Sequence, residues 1–230
     1  MNSNKTAARV VGVLMLGATI AFMLGSGLIE AILNAPDSLA NVYQNQTQLA
    51  MGVLLEYVDA AAVVGIGVVI FPILKKHDET IALGYASTRV IECAILIVSG
   101  ISLLSLIPLS QEYVQAGTPN ASYFQTMGAS FTAVGGLAFQ IAMIALAVGS
   151  LPFCYLLYRS NLIPQTISIL GFVGYTMLLT SGLLEIFGYS TGMIFYLPGA
   201  LFELAFPIWL LVKGFDASVS VAKPHLRQAV

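Results

Sequence analysis

The sequence predicts an all-α fold: a polytopic transmembrane helical bundle of six spans with the N- and C-termini both on the cytoplasmic side. Three observations carry this expectation. Of 230 residues, 58% are hydrophobic and only 9% charged, with a mean hydropathy of +0.89, against roughly 50% and 25% in a soluble domain. A soluble fold of this length has no means of hiding that much apolar surface. The apolar residues fall into six stretches of about the 20 residues that cross a ~30 Å hydrocarbon core. Lysine and arginine gather at alternate connections, the pattern left by retention of cations on the cytoplasmic side.

The first stretch covers 8–33. With Lys5 and Arg9 before it, it resembles a secretory signal, but it exceeds the 7–15-residue core of such a segment and has no small-residue cleavage site before the polar loop. It is read as a retained span. Pro36-Asp37-Ser38 supplies turn chemistry, and the second stretch covers 49–74. Lys75-Lys76-His77-Asp78-Glu79 separates it from the third, 81–108, and a long connection over 111–125 leads to the fourth, 131–158. Arg159-Ser160-Asn161 precedes the fifth, 164–188, and residues 189–192 precede the sixth, 193–212. Nothing reads as a soluble domain or linker, so a single transmembrane domain is expected over 1–230, with short cytoplasmic tails at about 1–7 and 214–230.

Eight of the nine cations, Lys5, Arg9, Lys75, Lys76, Arg159, Lys213, Lys223 and Arg227, lie at the N-terminus, at alternate loops or at the C-terminus, and the other three loops have none. Six spans with both ends inside satisfy all eight. The ninth, Arg89, falls within the third span.

Ionisable residues inside a membrane cost at least a few kcal/mol and mark functional hypotheses. Here there are seven: Glu30, Glu56, Asp59, Arg89, Glu92, Glu185 and Glu203. Counting about 1.5 Å per residue places Asp59, Arg89, Glu92 and Glu203 near mid-depth and Glu30, Glu56 and Glu185 nearer the outer surface. Residues three or four apart share a helix face, so Glu56 pairs with Asp59 and Tyr85, Arg89, Glu92 and Ser99 form one stripe. Six acids stand against one base, and a buried carboxylate without a partner takes up a proton or finds a cation. In the last span Pro207 has no N–H for the carbonyl of Glu203, which adds an oxygen acceptor beside that acid. Pro72, Pro152 and Pro198 are further candidate kinks. Ser26-Gly27-Leu28-Ile29-Glu30 resembles Ser181-Gly182-Leu183-Leu184-Glu185, a similarity short enough to arise by chance between apolar helices.

Several chemistries fail on residue inventory. His77 is in a loop and His225 in the C-terminal tail, so no span offers a haem axial histidine or a histidine-rich zinc site. No span contains a lysine for a retinal Schiff base, and Asp59 is the only intramembrane aspartate, which removes a two-aspartate protease. Cys93 and Cys154 lie in apolar stretches and read as buried thiols rather than a disulfide or metal site. The absence of a basic run sets nucleic acid aside. Gly84, Gly100, Gly135, Gly136 and the Gly25-Ser26-Gly27 run read as small residues for close helix approach.

Ala8 to Leu14 (Ala-Arg-Val-Val-Gly-Val-Leu), the acidic second span with Asp59, Arg89-Val-Ile-Glu92, Leu156-Leu157-Tyr158-Arg159-Ser160 followed by Ile163-Pro164, and the closing Pro198 to Gly214 stretch with Glu203 and Trp209 together resemble the uncharacterised bacterial membrane family known as domain of unknown function 4386. The resemblance covers most of the chain. It implies a bacterial plasma-membrane protein of about six helices and supports taking Asp59, Arg89, Glu92 and Glu203 as a set, but it implies no reaction.

The leading expectation is a small transporter or binding protein for a small solute, a cation or a proton. Its ligand site centres on Asp59, Arg89, Glu92 and Glu203, with Glu30, Glu56 and Glu185 lining an outward vestibule. The first alternative is a regulatory or partner-binding membrane subunit whose charges only set helix pairing, and the second is an intramembrane enzyme using carboxylates. The expected surroundings are the lipid bilayer, with a membrane-protein partner or a second copy as further candidates. No cofactor is expected, and the residue pattern does not single out a metal.

Overall fold

The computed structural model describes residues 3–116, 121–189 and 191–216. Lys223, His225 and Arg227 of the expected C-terminal tail lie outside the described residues. The described chain is helical, with no strand. Its helices are α1 Ser3–Leu33, α2 Ser38–Gln44, α3 Gln46–Leu74, α4 Glu79–Leu104, α5 Leu106–Ala116, α6 Ala121–Ser160, α7 Gln165–Ile186 and α8 Leu197–Val212, with a 3-10 turn at Met193–Phe195 before the last. Five segments are long and apolar enough to cross a membrane: Asn4–Leu33, Gln46–Leu74, Glu79–Ala116, Ala121–Ser160 and Gln165–Ile186. Leu197–Val212 is a shorter apolar helix.

The differences from expectation have local causes. The connection over 111–125 is helical on both sides of 117–120. α6 has 40 residues, about 60 Å at 1.5 Å each, roughly twice a hydrocarbon core. Its polar first turns therefore project beyond any bilayer that holds its apolar part. The sixth apolar stretch begins with the 3-10 turn, so α8 keeps only 16 residues. Pro198 is in the first turn of α8, where a missing N–H breaks no helical bond. Pro72, Pro152 and Pro207 lie inside continuous helices, so the carbonyl released by Pro207 does not interrupt α8. Asp37 caps α2 by accepting from the Ala40 N–H at 3.2 Å. Asp78 caps α4 by accepting from the Ile81 N–H at 3.0 Å.

The long helices close into a ring. α1 packs on α3, α3 on α4, α4 on α6, α6 on α7, α7 on α8, and α8 returns to α1. Glycine sets the closest approaches: a Cβ on Gly25 would stand 2.7 Å from the Gly52 carbonyl oxygen, and one on Gly174 would stand 2.6 Å from the Gly199 nitrogen. Gly100 and Gly135 also face neighbours, Tyr57 and Leu103, whereas Gly27, Gly84 and Gly136 meet nothing within 4 Å. Those three do not mediate the helix approach expected of them.

At one end of the ring the Lys76 ammonium donates to the Asn4 side chain at 3.4 Å, and the Asp216 N–H donates to the Leu162 carbonyl at 3.0 Å. At the other, the Tyr113 hydroxyl donates to Asp37 and the Gln111 amide to Gln46, both at 2.9 Å. Between the ends, the core divides into layers. A large cluster includes Ile66, Ile70, Tyr85, Phe153 and Phe206. A second at the opposite end includes Ile32, Leu49 and Leu106, and a small one of Ala60, Leu96 and Ala142 lies between. Along α4 the charged pair Arg89 and Glu92 falls between Tyr85 of the first cluster and Leu96 of the third.

Candidate functional site

Arg89 and Glu92 sit three residues apart on the buried face of α4, 4% and 2% exposed. The guanidinium Nη1 bonds Glu92 Oε2 at 2.6 Å. Gly67 of α3 faces the arginine, where a Cβ would come within 3.3 Å of the Arg89 Cβ, so a residue without a side chain gives the arginine its room. Carbon Cζ of the guanidinium lies 5.5 Å from the Tyr85 ring centroid, a cation–π distance. Arg89 Nε is buried and has no hydrogen-bond partner among the described residues.

An aromatic arc runs from this pair around the ring. Tyr85 stacks on Phe153 of α6 at 4.4 Å, Phe153 meets Phe206 of α8 edge-on at 5.8 Å, and Phe206 stacks on Phe202 at 5.3 Å. Phe202 then meets Tyr175 of α7 at 5.6 Å. The Tyr175 hydroxyl donates to Glu203 Oε1 at 3.3 Å. Four helices thus converge on the two ends of one polar group. Asp59 of α3, half-buried, lies within electrostatic reach of Glu92, Arg89, Glu203 and Glu56. Of the sequence candidates, then, Asp59, Arg89, Glu92 and Glu203 come together, and Glu56, one turn from Asp59, stands beside them. Neither the Asp59 nor the Glu56 side chain makes a hydrogen bond or ion pair among the described residues.

Glu185 and Glu30 sit elsewhere. Glu185 accepts hydrogen bonds from Ser181 at 3.2 Å, Thr191 at 3.1 Å, Tyr196 at 3.4 Å and the Gln140 amide. Tyr196 and Gln140 are also bonded to each other, and the Ser181 and Thr191 hydroxyls lie 2.5 Å apart. This cluster ties α6, α7 and the turn before α8 with one carboxylate and neutral donors. Glu30 is exposed.

The described residues contain no group of three or more His, Cys, Asp and Glu side chains arranged to hold a metal ion. The arrangement can hold or exchange protons, and Arg89 Nε–H can donate to an incoming acceptor.

Residues 10–214 match the family described as Domain of unknown function (DUF4386). The chain belongs to this family. No curated protein and no solved structure matches it. The matched region of this DUF4386 protein contains every charged residue of both clusters. Its apolar helices identify it as an integral membrane protein.

Within the DUF4386 chain, Tyr175, Gln140, Thr191 and Tyr196 escaped the sequence reading. Neutral polar residues in a span carry no charge penalty to draw notice, and their partners are 28 to 56 residues away or across a turn. Ser181 and Glu185, four apart on one helix face, carried a usable signal in their spacing.

Proposed function

We propose that this protein is a multi-pass protein of the bacterial inner membrane that binds and moves a small solute or cation in exchange with protons at the Arg89 group. The observation that carries this reading is the imbalance inside the ring. Asp59, Glu92 and Glu203 share one base, Arg89 is bonded to Glu92 alone, and Asp59 has no bonded partner among the described residues. A carboxylate held away from water calls for a proton or a cation. Because no ready-made metal nest is present among the described residues, the reading favours protons and a transient solute over a resident metal. The proposal includes six spans as a single transmembrane unit, with α8 as the sixth and both termini cytoplasmic. The contacts joining Asn4 to Lys76 and Leu162 to Asp216 support it, since they put cation-bearing connections at one end.

The test is thermal stability of the purified chain in nanodiscs across pH and a panel of cations and small solutes, for wild type, Asp59→Asn, Glu92→Gln and Glu203→Gln. Only a species that prefers the folded state raises stability, by about 2.7 kcal/mol at a hundredfold excess over its Kd. Ligand-specific stabilisation that the variants lose supports the reading. If nothing stabilises the wild type and the variants melt like it, the group is scaffolding and a partner-binding subunit replaces the transporter. That second reading has one observation in its favour: the Arg89–Glu92 pair is fully buried and bonded, as a fixed helix-packing device would be. Asp59→Asn separates the two, because a scaffold has no use for an unbonded acid.

A further inference from the structure

A second feature lies on the outside of the ring, away from the carboxylates. Between α6 and α7 runs a groove of about 230 Å³, lined by Cys154, Tyr155, Tyr158, Ser168, Ile169 and Phe172. Tyr155, Tyr158, Ile169 and Phe172 are 42–50% exposed, so the groove opens on the bundle's outer surface. The surface it offers is entirely apolar, which suits a hydrocarbon chain and not a polar solute.

The groove lies next to the α6–α7 connection, which carries the cation Arg159 and, through the Asp216 N–H on the Leu162 carbonyl, also holds an acid. Arg159, in the last turn of α6, follows Tyr158 directly and stands four residues from Tyr155, on the same helix face. It is exposed and makes no ion pair among the described residues. α7 starts at Gln165 with Pro164 as its N-cap, which supplies no side-chain acceptor. The Ile167 and Ser168 N–H groups bond the Pro164 carbonyl, whereas those of Gln165 and Thr166 have no acceptor among the described residues. Free N–H groups and the helix dipole together favour an anion there. Ser168, behind the groove's apolar surface, is fully buried, and its hydroxyl has no hydrogen-bond partner among the described residues, an uncommon arrangement for a buried polar group.

We propose that this groove is a binding site for an anionic phospholipid, with an acyl chain between Tyr155, Tyr158, Ile169 and Phe172 and the phosphate at Arg159 and the first turn of α7. The hydrocarbon-lined groove and the Arg159 cation, which makes no ion pair among the described residues, match the two halves of that molecule. A zwitterionic lipid would fill the groove equally well but would gain less from Arg159, and a soluble phosphate would gain nothing from the groove.

The experiment uses the full chain, delipidated in detergent and titrated with dioleoyl-phosphatidylglycerol or dioleoyl-phosphatidylcholine, with bound lipid counted by native mass spectrometry. Wild type is expected to hold the glycerol lipid about fivefold more tightly, the attraction of one cation near the headgroups. Arg159→Gln should bring it to the choline lipid's level, Arg159→Lys should keep the preference, and Ile169→Trp, which fills the groove, should weaken both lipids. Glycerol 3-phosphate at the same concentration should displace neither. Arg159 and Ile169 are exposed, so the variants are expected to fold, and unchanged thermal melting confirms it. An Arg159→Gln protein with the wild-type preference overturns the proposal. So does an Ile169→Trp protein that binds both lipids as before, or displacement by glycerol 3-phosphate.

Discussion

Two polar clusters occupy the same ring of helices, and they handle carboxylates in opposite ways. Glu185 accepts from Gln140, Ser181, Thr191 and Tyr196, all neutral donors, so its hydrogen-bonding capacity is met by the protein. Around Arg89, a single base serves several acids, Glu203 has one tyrosine hydroxyl at 3.3 Å, and Asp59 has no bonded partner among the described residues. A carboxylate surrounded by donors from three elements is a joint between them. One left short of partners is where a proton or solute can be exchanged. The two clusters differ in the donors each carboxylate receives, which a count of intramembrane acids does not register.

The largest test of this contrast is Arg89→Met. Removing one partner of a buried pair leaves Glu92 uncompensated, and the unfolding free energy in detergent should fall by about 3–5 kcal/mol. The double variant Arg89→Met/Glu92→Met should recover most of that loss, since a well-packed apolar pair of similar volume replaces the ions. Failure to recover would mean that the pair also holds Asp59 or Glu203 in place. Next in size, Gly174→Ala puts a Cβ 2.6 Å from Gly199 backbone atoms, and backbone cannot yield as a flexible side chain can. A loss of about 1–3 kcal/mol is expected. Because α8 carries Glu203 and begins just after Tyr196, the proposed solute binding and the Glu185 joint should both weaken, which breaks the separation of the two clusters.

Ser181→Ala removes one donor to Glu185 and should lower stability by about 1 kcal/mol with no change in any ligand response, whereas a change in that response would make Glu185 part of the proposed exchange site. His77, half-buried in the α3–α4 connection, supplies a control for any pH series. Burial, and then Lys76, hold its imidazole below the usual value. The unfolded chain therefore binds its proton more tightly than the folded one, and stability that is full above about pH 6.5 declines as pH falls through that value. His77→Gln should flatten this component, and a pH response that survives it arises from other groups. The smallest effect is expected for Glu30→Gln, within about 0.5 kcal/mol in a melting assay, because Glu30 is exposed and its side chain makes no hydrogen bond or ion pair among the described residues.

Glu30 and Glu185 also show how far a local pattern reaches. Each ends a nearly identical pentapeptide, Ser26 to Glu30 and Ser181 to Glu185, yet one is exposed and the other sits in a network. The difference comes from Gln140 on α6 and from Thr191 and Tyr196 beyond the end of α7, none of which the pentapeptide contains. Likewise Gly100 and Gly84 look alike in sequence, but only Gly100 meets a neighbour, the Tyr57 ring. Helix ends differ from expectation where polarity suggests a loop: 111–116 and 121–125 are helical because a backbone outside an apolar layer can still satisfy its own hydrogen bonds.

What the sequence determined by itself was whatever depends on spacing along one helix or on bulk transfer from water. The apolar stretches predicted the helices because a bilayer-length apolar run has no other way to satisfy its backbone. The three-residue interval from Arg89 to Glu92 placed both on one face because of the helical period. Tertiary structure alone decided which helices became neighbours, that α8 closes on α1, that Tyr175 reaches Glu203, and that Asp59 lies among the charges without a bond. Those outcomes depend on close packing between segments far apart in the chain, where a glycine's missing Cβ or an aromatic ring's reach sets the contact, and no local pattern encodes the partner on the other side.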